Sequence, residues 1–183
     1  AAADNRKLEA KEEVHEPDIM LKCIVSIENR VRFYENDQPG DRDDFTRVKS
    51  EVRNIIANLS AKFDGENVIE DNYITSIEFP KLNHAARFAV EFFKDVSIYE
   101  EQLNNTNLII ADKCSILSLS SEQEPNLSPF IQDVFEQTYD NEIIVNEPIK
   151  ERLEGEKYGF EFLGEKTLNK TGWSTALYKM TEL

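Results

Sequence analysis

The chain is poor in the residues that build metal centres and covalent frameworks. Its 183 residues include 2 Cys, 2 His and 1 Trp. No Cys-x-x-Cys pair occurs, and two histidines cannot complete the usual Cys/His set around a structural zinc. Cys23 and Cys114 lie inside apolar, strand-like runs, so buried free thiols are expected rather than a disulfide. Positive charge is also short. Lys and Arg number 21 against 36 Asp and Glu, a net charge of −15. That balance argues against a nucleic-acid footprint, which needs clustered cations to neutralise phosphates. No apolar run approaches the roughly 20 residues that a membrane-spanning helix requires. The opening segment is charged, unlike a secretory leader, which gives the expectation of a cytoplasmic protein. Glycine-rich phosphate loops ending in Lys-Ser/Thr and Gly-x-Ser-x-Gly elbows are absent.

What is present suffices for one core. Hydrophobic residues make up 40%, with 11 Phe and 6 Tyr. Residues 1–17 read as a charged arm or linker, and residues 18–183 as a single domain. Leu21 to Ile27 reads as a strand, and Glu35 to Asp44 as a polar loop. Phe45, Val48, Val52, Ile55, Ile56, Leu59 and Phe63 recur at three- and four-residue steps, which predicts an amphipathic helix over 45–63, capped by Asp43 or Asp44. Asp64-Gly65 turns the chain. A hairpin follows, turning at Glu70, Asp71 and Asn72. Pro80 opens a second helix over 81–97, with Phe88, Phe92 and Phe93 read as packing residues. Two strands then precede a third helix, capped by Ser128 and started by Pro129. Ile143 to Val145 is a strand, and Asn146 caps a short helix with Pro148 in its first turn. Tyr158, Phe160 and Phe162 alternate as in a half-buried strand, and one more strand closes the chain. The order predicts an α+β fold with a mainly antiparallel sheet.

The run from Asn141 to Met180, with its strand, short helix, aromatic strand, Gly and closing Tyr-bearing strand, resembles the end of a class III nucleotidyl cyclase catalytic domain. The resemblance covers nearly the whole chain after residue 20 and implies a ferredoxin-like core. It also implies a chemistry: two metal ions held by two Asp residues, with an Asn and an Arg on a later helix orienting ribose and stabilising phosphate charge. Aligned this way, Asp71 matches the second metal ligand, with Glu70 in place of a Gly. Ser26 falls where the first Asp belongs, and Glu28 could replace it only by a slip of two residues. Asn126 matches the Asn, and Phe130 stands where the Arg belongs. Lys170 lies near the position of a C-terminal Lys, where an exposed strand-end lysine is the plainer reading. His84 reads as a capping or surface residue.

Two function classes follow. One is a degenerate cyclase-like module that pairs and relays signals without turnover, needing no cofactor. The other is a divergent adenylate or guanylate cyclase, which would need Mg²⁺ or Mn²⁺. A third reading is a sensor that binds nucleotide without catalysis. The nucleotide-binding residues are not identified. The expected partner is a second copy or a related cyclase-like domain, as homodimer or heterodimer.

Overall fold

The computed structural model describes residues 22–35, 38–71, 73–120, 127–167 and 172–183. The expected arm over residues 1–17, Asn126 and Lys170 therefore lie outside the described residues. In chain order the elements are β1 (Lys22–Glu28), β2 (Val31–Phe33), α1 (Asp41–Lys62), β3 (Glu66–Asp71), β4 (Ile74–Glu78) and α2 (Leu82–Glu101). They continue with β5 (Leu108–Ile110), β6 (Lys113–Leu119), α3 (Leu127–Glu136), β7 (Ile143–Asn146), α4 (Glu147–Leu153), β8 (Tyr158–Thr167) and β9 (Ser174–Glu182).

Seven strands form one sheet in the order β3-β4-β1-β6-β7-β9-β8, and β2 pairs with β5 apart from it. Within the large sheet only the β6–β7 pair is parallel. This is the mainly antiparallel α+β architecture expected from the sequence. Helices cover both faces. Val25, Ile27, Cys114, Ile116 and Val145 point into one core with α1, α2 and α4. Ile24, Leu117, Leu119 and Ile144 point to the other face, where α3 packs with Phe130, Ile131, Val134 and Phe135. The two-residue side-chain period of a strand divides each central strand between these cores. α1 and α2, which correspond to the helices expected over 45–63 and 81–97, share one face of the sheet.

α1 buries Val48, Val52, Ile56 and Leu59, spaced four, four and three apart, which keeps them on one stripe. It begins earlier than its apolar period suggests. Gly40, in the left-handed region at φ 88°, precedes it in the cap position expected of Asp43 or Asp44; Asp41 does most of the anchoring, and Asp44 Oδ2 also accepts from Asn105 Nδ2 at 2.8 Å. Asp41 accepts hydrogen bonds from the Gln38 amide (2.6 Å), Asn105 Nδ2 (2.8 Å) and Asn107 Nδ2 (2.9 Å). The Asn105 bond is the chief reason its carboxyl lies below the ordinary range. α1 is thereby tied to the segment between α2 and β5. After α1, Asp64 takes φ 59° and Gly65 passes under β4. A Cβ at Gly65 would meet Ser60 Oγ at 2.5 Å and Ile77 Cγ2 at 2.7 Å, so only glycine fits this turn.

Several expected caps sit elsewhere. α2 starts at Leu82, after Lys81, rather than at Pro80. Ser128 already lies inside α3. Asn146 precedes α4 but makes no capping bond; its side chain pairs with the backbone of Ser118, donating at 2.9 Å and accepting at 3.1 Å. Both cysteines are free thiols. Burial pushes the Cys23 thiol up to about 12, which leaves it unreactive. The core centres on α2, where fully buried Phe88 packs against Phe79 (5.1 Å between ring centroids) and Phe92 (6.5 Å). Phe88→Ala is expected to destabilise the domain by about 3–5 kcal/mol, read as a lower urea midpoint at unchanged m-value.

Candidate functional site

β1 carries the position where the cyclase resemblance requires a metal carboxylate. Ser26 is fully buried there, in register with Ser76 of β4 and Ser115 of β6. Its Oγ lies 2.9 Å from Ser76 Oγ. The three serines form a row across the sheet on the α3 face. Ser115 Oγ has no partner, so the row holds one unused hydroxyl but no charge.

Glu28, two residues on, faces the same way as Ser26. It stands opposite Ile74, and Asp71 stands opposite Ile74 from the other side. Glu28 and Asp71 are thus separated by a whole strand, about 10 Å between backbones. Each has other company. Glu28 pairs with Arg30 Nε at 3.1 Å, and Asp71 Oδ2 accepts from Ser128 Oγ at 2.9 Å. The Asp71 bond ties the hairpin to α3. Glu70 and Asp71 lie within β3 itself, so the hairpin turns one step later than expected, at Tyr73 with φ 68°. Among the described residues no group of three or more His, Cys, Asp or Glu is gathered to hold a metal ion.

Phe130, at the position of the expected arginine, is buried and packs on Trp173 with ring centroids 5.6 Å apart. It belongs to the α3 core. His84 sits at the start of α2, with Nδ1 3.1 Å from the Phe63 carbonyl oxygen, a local structural role as expected.

Two clefts flank Asp71. One, of about 290 Å³, lies between β3, β4 and the start of α3, and is walled mainly by Ile69, Ile74, Leu127 and Ile131. The other, of about 340 Å³, lies between α1 and the β3–β4 hairpin, with Asn29, Lys49, Arg53, Glu70 and Tyr73 around it. Sequence reasoning missed this second group. Lys49 and Arg53 lie on the polar side of an amphipathic helix, where a charged residue carries no signal of its own.

Lys49 is held firmly. Its ammonium donates to the Asn29 carbonyl oxygen, and Asn29 Nδ2 donates to the Lys49 carbonyl oxygen at 3.3 Å. The ammonium lies 4.9 Å from the Tyr73 ring centre and 5.5 Å from that of Phe45. Burial lowers the affinity of Lys49 for its proton, while the charge of Asp112 raises it. Asp112 sits behind this cleft, between β5 and β6, fully buried. One oxygen accepts the Arg30 amide at 2.7 Å, and Oδ2 has no partner. Burial pushes its carboxyl up to about 7, against the Arg30 hydrogen bond and the charge of Lys49; Glu100 and Asp140 push the same way as burial. Lys113, next in sequence, is also buried; it donates to the Phe135 carbonyl and, at 2.8 Å, to that of Thr138, closing the end of α3.

No protein-family model matches the sequence, and no curated protein matches it. Solved structures do match, over nearly the full length of both chains. The adenylyl cyclase CyaB from P. aeruginosa superposes with a TM-score of 0.66 at 10% identity, covering 89% of this chain and 95% of that one. The guanylate cyclase domain of RhGC from Catenaria anguillulae, in complex with GTP, gives 0.62 at 9% identity, with 89% and 97% covered. An adenylate cyclase from Trypanosoma brucei in its monomeric state gives 0.62 at 10% identity, with 91% and 92% covered. The chain has the fold of a class III nucleotidyl cyclase catalytic domain. At these identities the likeness is one of fold, and the residues must be judged separately. At the positions of the metal pair in the cyclase resemblance, Ser26 is neutral and hydrogen-bonded to Ser76, Glu28 pairs with Arg30, and Asp71 accepts from Ser128.

Asp112 gives this cyclase-fold domain a pH dependence. Its folded value, about 7, lies above its ordinary 3.8, so between these limits the native state holds a proton that the unfolded chain has lost. This contribution makes stability fall as pH rises from about 4 to about 7, and the loss persists above 7. Asp112→Asn is expected to remove that slope. At pH 8 it should be more stable than the parent by on the order of 1–3 kcal/mol, and at pH 4.5 nearly equal. Urea unfolding at both pH values checks this; parallel pH profiles for parent and variant would contradict it.

Proposed function

We propose that this domain keeps the cyclase fold as a regulatory, pairing module and does not turn over nucleotide. The observation that carries the reading is Ser26. In the cyclase resemblance its position is that of a metal carboxylate, and here it is fully buried and hydrogen-bonded to Ser76. A neutral hydroxyl is a poor Mg²⁺ ligand beside carboxylates. Phe130 supports the same reading, since a ring packed on Trp173 supplies no charge to a phosphate in flight. Restoring the missing groups is not a surface change. Asp at 26 would bury a carboxylate in a serine row, and Arg at 130 would break the core under α3.

Pairing is supported by apolar side chains left in solvent on the edge strand β3 and the turn beside it: Val68, Ile69 and Tyr73. The Trypanosoma brucei structure is of a domain in its monomeric state, so the fold by itself does not require a partner. A chain of net charge −15 repels its copies at low salt. The occupant of the pairing surface is therefore either a second copy, favoured by added salt, or a less acidic cyclase-like domain.

The purified chain is expected to form no cyclic nucleotide from ATP or GTP with Mg²⁺ or Mn²⁺. Turnover abolished by Asp71→Ala would instead favour a divergent cyclase with Asp71 at its active site. Ser26→Asp is expected to cost about 2–4 kcal/mol at pH 8 and less at pH 5, where the new carboxyl is protonated, and to create no activity. Sedimentation velocity at low and high salt tests pairing: the homodimer should strengthen with ionic strength, and a monomer under both conditions leaves only the heterodimer.

A further inference from the structure

The cleft between α1 and the β3–β4 hairpin has a polarity that neither fold nor pairing explains. Its walls carry opposite charges that form no ion pair with one another among the described residues. Arg53, one helical turn beyond Lys49, is exposed and makes no ion pair or hydrogen bond with another described residue. Glu70, on the hairpin wall, is likewise exposed and unpaired among the described residues. Lys49 uses one ammonium proton on the Asn29 carbonyl, which leaves two for an acceptor in the cleft.

The floor supplies an independent sign of a ligand. Asn29 is 6% exposed and lines the cleft. Its amide nitrogen is engaged with Lys49, but its Oδ1 has no hydrogen-bond partner. A buried amide oxygen left without a donor is costly; Oδ1 is closed off from solvent, and a small outward turn of the side chain would bring it to an incoming N–H.

Charge decides what can enter. An anion drawn to Arg53 and Lys49 meets Glu70 and Asp71. A cation drawn to the carboxylates meets the two basic side chains. A nucleoside triphosphate brings about four negative charges to a site whose own fixed charges, Lys49 and Arg53 against Glu70 and Asp71, cancel. A molecule carrying both signs meets an opposite charge on each wall, which a neutral molecule cannot use. The volume, about 340 Å³, is at the small end of ligand pockets, and Tyr73 offers an aromatic face at the rim.

We infer that this cleft binds a small zwitterion of the amino-acid class, with its carboxylate on Arg53 and Lys49 and its ammonium on Asn29 Oδ1 and Glu70. The ligand bridges α1 to the hairpin, so binding draws the two elements together.

The test is titration of the full chain, followed by calorimetry and by amide NMR shifts, with each standard α-amino acid. The tightest binder is then compared with its decarboxylated amine and its deaminated acid. At least one amino acid should saturate with a Kd of about 1 mM or tighter, and each single-charge analogue should bind at least about tenfold more weakly. Arg53→Gln and Glu70→Gln should each weaken the amino acid by about tenfold. Both are exposed side chains, and unchanged circular dichroism confirms that the fold is kept. Shifts should concentrate at Asn29, Lys49 and Tyr73. Failure of every amino acid to saturate would overturn the inference. So would a deaminated acid that binds as tightly as the zwitterion, or an affinity indifferent to both variants. ATP binding that outcompetes the amino acid would assign the cleft to nucleotide instead.

Discussion

The middle of the sheet has no free face. β1 and β6 are the paired strands between β4 and β7, and their alternating side chains are committed to two separate cores. All seven residues of β6 are buried. In such a strand every position is either apolar or must find its hydrogen bonds inside the protein. This one constraint explains both what the domain keeps and what it lacks. The apolar positions of β1 and β6 hold α1, α2 and α4 to one face and α3 to the other. Among the polar positions, Ser26 and Ser115 are small, neutral and turned toward α3, while Lys113 at the start of β6 reaches the carbonyls of Phe135 and Thr138. A carboxylate at position 26 is tolerable only with cations or metal to compensate it, and the neighbouring row offers hydroxyls.

The charge that the sheet excludes gathers at its end, where β1 turns into β2. Arg30, Arg32, Glu28, Asp140, Lys49 and Asp112 lie there together. Arg30 pairs with Glu28 at 3.1 Å and with Asp140 at 3.6 Å, and Arg32 pairs with Asp140 at 2.7 Å. These surface pairs contribute little individually. Asp112 differs because it is fully buried, with one oxygen unpartnered. In a chain of net charge −15, a buried carboxyl that holds its proton near neutrality relieves some of the repulsion around it. Lys49 faces both Asp112 and the cleft, so the charge state behind the cleft bears on the ammonium inside it.

Much of the fold was legible because periodicity survives burial. The stripe from Val48 to Leu59 and the alternation through Tyr158 and Phe160 each report one face of an element, and both elements are where they were expected. The caps were less legible. A capping residue is recognised by its type, and Asp, Ser and Asn have other uses. Asp41 anchors α1 through Asn105 and Asn107, some sixty residues away; Ser128 serves Asp71; Asn146 serves Ser118. β2 was not read at all, since three residues pairing with β5 leave no pattern of their own. The candidate site was legible only where a family pattern pointed. Ser26, Phe130 and Asp71 could be placed from the alignment, whereas Asn29, Lys49, Arg53 and Asp112 come together only by folding.

The two clefts beside Asp71 divide the region that the cyclase resemblance assigns to one active site. The Asp71–Ser128 hydrogen bond stands between them. On the α3 side the walls are apolar, and exposed Ile69 continues them onto the edge strand. On the α1 side the walls are charged, and the floor has an unmet acceptor. These are different solvents for a guest. The apolar side suits a protein surface, which gains by excluding water over a wide area. The charged side suits a small polar molecule, which gains from a few directed bonds. A partner docked along β3 and a ligand held between α1 and the hairpin would both bear on the same short turn at Tyr73. Coupling between them needs only that each favour one position of that turn, since two ligands that prefer the same state strengthen each other's binding reciprocally.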